Sequence, residues 1–315
     1  MAAFTHVPVL CEEVLSLLAP AVSRPGAHLV DATIGLAGHA AAALERFPDL
    51  TLTGIDRDPE AIGLAGERLA PYAGRWNLVQ ATYDTLPAIL GRGTVDGILF
   101  DLGLSSLQID NPAGGFAYAA DTPLTMRMDR DVHGVTAADV VNTYSATELA
   151  HLFRVYGDEP HAGRIATAIV EHRRTHPFAT TAELAEVVAA AIPSGTTRRG
   201  HPAKRVFQAV RMEVNDERAL LARALPAALA ALNLGGRLVV LSYHSGEDRL
   251  VKRQFAAAST DDVPRGLPEV PATSAARFTV VTRGAVAASD AEVADNPRAR
   301  PARLRAIERI REDRS

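Results

Sequence analysis

The chain has 315 residues, 47% of them hydrophobic and 22% charged, with a formal net charge of −4. That is apolar material for one large domain or two modest ones, and no run of about 20 uninterrupted apolar residues could span a bilayer. A single cysteine, Cys11, excludes an internal disulfide, and the N-terminus lacks a basic stretch ahead of an apolar one, so a soluble cytoplasmic protein with no membrane partner is expected.

Short β-like runs alternate with helical patterns in the first third. His28 to Ala32 reads as a strand carrying Asp31, and Ala37 to Phe47 as an alanine-rich helix. Thr51 to Ile55 is a strand ending at Asp56, and Pro59 opens the next helix, where its missing N–H costs nothing. Trp76 to Gln80 and Val95 to Phe100 are two more strands. Such alternation predicts a parallel, doubly wound α/β sheet.

From Ser106 to Arg205 no convincing central strand follows. Two capping boxes, Ser145 with Glu148 and Thr180 with Glu183, each precede an apolar-periodic run. Between them Ile165, Ala168 and Ile169 share a helix face. A long helix is then expected from Phe207 to Leu232 despite Pro226, and a Gly235-Gly236 turn leads into a strong strand, Leu238 to Tyr243. The sheet has resumed. The expected organisation is therefore a discontinuous α/β domain, residues 1–105 and 206–315, with a mainly helical domain inserted at 106–205. The runs Phe278 to Thr282 and Leu304 to Ile310 are β-prone, and Ala256 to Ala275, with three prolines, reads as a flexible loop.

Net charge does not advertise nucleic-acid binding, but its distribution is uneven. Arg198, Arg199, Lys204, Arg205 and Arg211 cluster, with His201 among them. A second run, Arg298, Arg300, Arg303, Arg305, Arg309, Arg311 and Arg314, ends the chain. Such clusters can neutralise phosphates; on charge alone, however, a solvated surface with an arginine-rich tail is the favoured reading.

The segment Asp31 to His39 lies between a strand and a helix, where small residues let backbone N–H groups approach a ligand at a helix N-terminus. Asp56 stands at the next strand end, where α/β cofactor domains place an acid for ribose hydroxyls. Dinucleotides and S-adenosylmethionine both suit this plan. The dinucleotide fingerprint G-x-G-x-x-G is not met by Gly35-Leu-Ala37-Gly38. Asp101 ends the fourth strand, in the crevice that such sheets use for ligands. There a carboxylate could accept the N–H groups of an amine and orient its lone pair toward a methyl donor. His161, His172, His176 and His201 show no tight ligand spacing, so no metal site is expected.

Further along, motifs accumulate in a fixed order. His6-Val-Pro-Val-Leu10 with Glu13 comes first, then Asp31 to His39 and Ile55-Asp-Arg-Asp58. Asp101-Leu-Gly-Leu-Ser-Ser106 with Gln108 and Asp110 follows, then Pro123-Leu124 with Met126-Arg-Met-Asp129. The series continues through His201-Pro-Ala203, Arg205, Phe207-Gln-Ala209 and Val214-Asn215. It closes with Ser242-Tyr-His-Ser245, Glu247-Asp-Arg249, Val251-Lys252 and Asn296 to Arg300. In this series the chain resembles the bacterial small-subunit ribosomal RNA (cytosine-N4)-methyltransferases, the RsmH or MraW family. The corresponding family motifs read D-x-T-x-G-x-G-G-H, D-L-G-V-S-S-x-Q-x-D and S-F-H-S-L-E-D-R-I-V-K.

The resemblance implies a Rossmann-like methyltransferase sheet and S-adenosylmethionine as cofactor, bound by Ala37, Gly38, His39, Asp56, Tyr83, Asp101 and Gln108. It implies methylation of the exocyclic N4 of one cytidine in the decoding region of 16S ribosomal RNA, with Asp101 as the catalytic candidate. The implied partner is 16S rRNA in the small subunit or a late assembly intermediate; homodimer formation is left open. Arg127, Arg205, Arg211 and His244 are the candidate RNA contacts, the inserted helical domain being the candidate RNA-recognition element. His244 could equally anchor its own loop by a hydrogen bond. Phe116 and Tyr118 could stack on a flipped base or simply pack on the insert. Three departures stand out: Ala37 for the first glycine of the G-G pair, Gly114 for an arginine and Thr125 for an aspartate. Ala37 is expected to be tolerated, since the loop needs only close approach.

Overall fold

A computed structural model of the chain describes residues 8–105, 107–108, 114–117, 121–129, 134–193, 200–261, 271 and 274–312. His6, Ser106, Asp110, Tyr118, Arg198, Arg199 and Arg314, and the centre of the expected loop at 262–270, lie outside the described residues. The chain divides into two compact units, Met1–Gly103 with Ala219–Ser315, and Leu104–Arg218.

The first unit is built on one seven-stranded sheet. Its strands are β1 (His28–Asp31), β2 (Thr51–Asp56), β3 (Trp76–Gln80), β4 (Val95–Asp101), β5 (Leu232–Ser242), β6 (Phe278–Val280) and β7 (Arg303–Arg309). Their order is β3-β2-β1-β4-β5-β7-β6. β7 runs antiparallel to both neighbours, and the pairs from β3 to β5 are parallel. The chain steps outward from β1 to β3 and returns to β4 on the other side of β1. The direction of winding therefore reverses between β1 and β4, and the crevice beyond their carboxyl ends is the default ligand position of an open α/β sheet.

Alternation along the strands feeds two cores. Leu29, Val239 and Leu241 join one cluster with α1 (Cys11–Val22) and α2 (Gly38–Arg46). Val30, Leu238 and Val240 join the other with the helix that precedes β5 and the one that follows it. Successive strand residues point to opposite faces, so each buried strand reads as a continuous apolar run. Sequence reading missed α1. Its signal is present: Val14, Leu18 and Val22 recur at four-residue spacing, and all three are buried. α3 (Pro59–Leu69) starts as expected, with Asp58 as its N-cap accepting from the Glu60 N–H.

The second unit is helical: α4 (Ala137–Thr143), α5 (Ala146–Gly157), α6 (Ala162–His172), α7 (Thr181–Ala191) and α8 (Lys204–Val214), numbering the longer helices only. Both expected capping boxes are formed, and Thr136 with Asp139 forms a third that a search for Glu or Gln overlooks. The core gathers Val140, Phe153, Ile165, Ile169, Leu184, Val206 and Phe207. Phe116 packs against this cluster.

The long helix expected from Phe207 to Leu232 is instead two. α8 ends at Val214, and α9 (Glu217–Ala231) begins after Asp216, which takes a φ of 50°. Asn215 is buried at the break. Its Nδ2 donates to the Met126 carbonyl at 2.7 Å and its Oδ1 accepts the Met128 N–H at 3.0 Å. A buried amide must spend its polar atoms on such partners. Because Val206, Phe207 and Val210 belong to the helical core, the second unit extends to residue 218 rather than ending near 205. The arginine-rich C-terminal run is also not a free tail, since β7 contains Arg303, Arg305 and Arg309. Arg305 forms a two-point ion pair with Asp248 at 2.7 and 3.0 Å, and Arg309 is buried, donating to the Leu232 carbonyl. No helix among the described residues is long and apolar enough to cross a membrane.

Candidate active site at the strand ends

Three carboxylates stand where β1, β2 and β4 end. Asp31 is fully buried, accepts the Thr33 N–H at 3.2 Å, and is pushed up to about 7, chiefly by burial and further by the charges of Asp101 and Asp56. Asp56 closes the loop after β1: its Oδ2 accepts the Gly35 N–H at 3.0 Å and its Oδ1 the Asp58 N–H at 3.0 Å. Burial raises its ionisation above the ordinary carboxylate range, and these N–H groups, with that of Arg57, oppose the rise. The loop and the acid are thus one assembly, and the chain from Asp31 to α2 is shaped by a side chain some twenty residues on.

Ala37 is the N-cap of α2, with φ 55° in the left-handed region and no exposed surface. Close approach is therefore not the whole requirement at this position. The backbone itself favours glycine, and Ala37 bears that strain. Gly38 and His39 open the helix. The His39 ring is buried, with Nε2 2.9 Å from the Val9 carbonyl and Nδ1 3.5 Å from Asp101 Oδ2. A hydrogen on Nε2 satisfies the carbonyl and leaves Nδ1 facing the carboxylate.

Asp101 is partly open to solvent, its side chain 28% exposed. Its N–H donates to Thr33 Oγ1 at 2.7 Å, and its Oδ1 accepts from the Tyr243 hydroxyl at 2.7 Å. Thr33 and Tyr243 were not among the residues singled out from sequence. The pairing of β5 with β4 sets Leu241 opposite Asp101 and so brings Tyr243, just past β5, beside the end of β4.

The other expected site residues are each held by local contacts. Tyr83 is half-buried with its ring edge-on to Phe100 of β4, centroids 5.5 Å apart. Gln108 belongs to the second unit, where it and Ser105 exchange hydrogen bonds of 3.2 Å in a local cap. His244 is the N-cap of α10 (Ser245–Ala258): Nδ1 accepts the Glu247 N–H, while Glu247 accepts the N–H groups of Tyr243 and His244. Its ring anchors the loop, one of the two roles left open for it from sequence.

Two of the expected RNA contacts are engaged internally. Arg211 meets Glu217 through two hydrogen bonds of 2.7 and 2.9 Å, its side chain 13% exposed. Arg127 pairs with Asp129 at 3.1 Å and lines a cavity of about 280 Å³ with Tyr144 and Glu213. A guanidinium already forked onto a carboxylate is a poor phosphate grip, so Arg211 is read here as structural. Arg205 is exposed and donates to the Asp158 carbonyl at 2.8 Å.

Residues 3–310 match the MraW methylase family. The chain is 56% identical over 309 residues to the ribosomal RNA small subunit methyltransferase H of a Nocardioides species, covering 97% of both proteins. It is 56% identical over 316 residues to the protein of that name from Acidothermus cellulolyticus, covering 99% of this chain and 96% of the relative. With the Streptomyces avermitilis protein of the same name it shares 51% identity over 312 residues, 98% of each.

Proposed function

Because the chain belongs to the MraW methylase family, we propose that it methylates the exocyclic N4 of one cytidine in the decoding region of 16S ribosomal RNA, within the small subunit or a late assembly intermediate. The methyl donor of this family is S-adenosylmethionine, which supplies a methyl group already activated on a sulfonium. The names of the relatives support the rRNA substrate, and the carboxylate at the end of β4 supports the amine chemistry.

The strand ends fit such a cofactor. Asp31, Asp56 and Asp101 gather acids, two of them raised in ionisation, whose charged forms a ligand carrying an ammonium and a sulfonium would favour. Asp56 is fixed by backbone N–H groups, yet a carboxylate has about four acceptor sites, so capacity for a ligand hydroxyl remains. The N-terminus of α2, beginning at Gly38, adds N–H groups for a carboxylate.

Asp101 carries the proposal. It is partly open to solvent, and its backbone is pinned by Thr33. A carboxylate so held accepts the N4 hydrogens and orients the nitrogen lone pair for in-line attack. Bringing the cytidine out of its stack costs a few kcal/mol. The helical unit, with Arg205 and Lys204 exposed at the start of α8, is proposed to hold the RNA.

The test is incubation of the protein with labelled S-adenosylmethionine and unmodified small subunits, followed by nucleoside analysis of the RNA. Label in N4-methylcytidine at one site is expected. Label in another nucleoside, or none despite measured cofactor binding, would discard this substrate in favour of another acceptor or a non-catalytic role in subunit assembly.

A further inference from the structure

The proposed reaction leaves one polar group at the strand ends without a task, the phenol of Tyr243. We propose that Tyr243 is a positioning residue for Asp101: by donating its hydroxyl to Oδ1 at 2.7 Å it fixes the carboxylate plane for the amine being methylated. The inference rests on the role proposed for Asp101.

The tyrosine is built as a rigid arm. Its N–H donates to Glu247 Oε2 at 2.9 Å, and Glu247, itself buried, is locked into the cap of α10. On its other side the ring lies over Gly103. A Cβ at that glycine would sit 3.5 Å from the ring, and the φ of 97° there is one that side chains rarely adopt. The glycine after β4 thus lets the backbone turn beneath the ring whose hydroxyl reaches Asp101.

Chemistry fixes the direction of the bond. Burial, then the neighbouring Asp101 charge, push the phenol's ionisation far above its ordinary value, so the proton stays on oxygen and the phenol can only donate to the carboxylate. The other oxygen, Oδ2, faces His39 at 3.5 Å, longer than a strong charge-assisted bond. Of these two contacts, the one to Tyr243 is the tighter. In the motif that residues 242–245 resemble, this position is phenylalanine, so Tyr243→Phe removes the hydroxyl from a ring the fold accommodates.

Two measurements test this. In single-turnover transfer to small subunits, Tyr243→Phe is expected to slow the reaction about tenfold, equivalent to about 1.4 kcal/mol. The Kd for S-adenosylmethionine should stay within twofold, and in an Asp101→Asn background the same change should have no further effect. In the free protein, the carboxyl carbon-13 signal of Asp101 should titrate at higher pH in Tyr243→Phe, since a donor to the ionised form is lost. Asp31 and His39 face the carboxylate, Asp56 lies beside Asp31, and Glu247 and Glu292 lie near the phenol; all are common to both proteins. A wild-type rate in Tyr243→Phe alongside a crippled Asp101→Asn overturns the role of Tyr243 alone. Equal slowing in both backgrounds, or loss of cofactor affinity in step with rate, also overturns it. A near-wild-type Asp101→Asn removes the role of Asp101, and Tyr243's with it. An unshifted carboxyl titration overturns the positioning role whatever the acceptor proves to be.

Discussion

The two units of this chain use charge in opposite ways. In the sheet unit, three carboxylates converge on adjacent strand ends, and burial holds the ionisation of Asp31 and Asp56 above the ordinary carboxylate range against the loop N–H groups that oppose it. In the helical unit, charges of opposite sign consume each other: Arg127 with Asp129, Arg211 with Glu217. A parallel sheet concentrates like charges because every strand delivers its carboxyl end to the same edge. A helical bundle spreads side chains over many faces and lets each find a partner nearby. Convergence of like charge is costly and so points to a ligand that relieves it; mutual pairing points to stability.

The largest test of that contrast is Asp101→Ala. If the strand-end acid orients the amine, methyl transfer should fall by a factor on the order of 100 or more, with the melting temperature little changed because Asp101 is partly exposed. A near-normal rate would mean that the convergence serves cofactor binding alone.

Arg211→Ala and Arg205→Ala sharpen the other half. Removing Arg211 leaves Glu217 largely buried without its forked partner, and should cost about 2 kcal/mol of stability, somewhat below a fully buried pair. Denaturant titration measures this. Removing the exposed Arg205 should leave stability almost intact but weaken binding to the RNA several-fold, and lower the salt dependence by about one counterion. The reverse pattern would dissolve the distinction between the two units.

Asp31 gives the contrast a pH signature. Its folded value of about 7 lies above that of an unfolded chain, about 3.9, so the fold holds the proton more tightly. Its contribution to stability is complete below about pH 4 and is lost as pH rises through 7. Asp31→Asn should flatten stability across that window, and an unchanged slope in denaturant titrations at pH 4, 5.5 and 7 would assign the dependence elsewhere.

These differences also account for what sequence could and could not reveal. Asp31, Asp56 and Asp101 were legible because a strand followed by a helix fixes where its last residue goes, whatever the rest of the chain does. Tyr243 was not, because its contact depends on the register of β5 against β4, which no local pattern encodes. With residues 207–232 read as one helix, positions 211 and 217 would lie about 120° apart around the axis and about 9 Å apart along it. The break at Asn215 and Asp216 folds Glu217 back onto the guanidinium. That break is itself held at long range, by a hydrogen bond from Asn215 to the Met126 carbonyl and one from the Met128 N–H to Asn215.

Ala37 marks the smallest effect and the finest balance. Its left-handed conformation costs an alanine about 1–2 kcal/mol that a glycine avoids. Against this, the methyl group is fully buried in the cluster around α1 and α2, and burying one such group contributes about 0.8 kcal/mol. Glycine also has more conformational freedom to lose on folding, which takes back a further fraction. Relief of backbone strain should win narrowly, so Ala37→Gly is expected to stabilise the protein by about 0.5 kcal/mol in denaturant titration without altering cofactor affinity. A loss of stability would show that methyl packing outweighs the strain. A gain in affinity would show instead that the methyl group intrudes on the ligand, which would tie the N-cap of α2 directly to the cofactor.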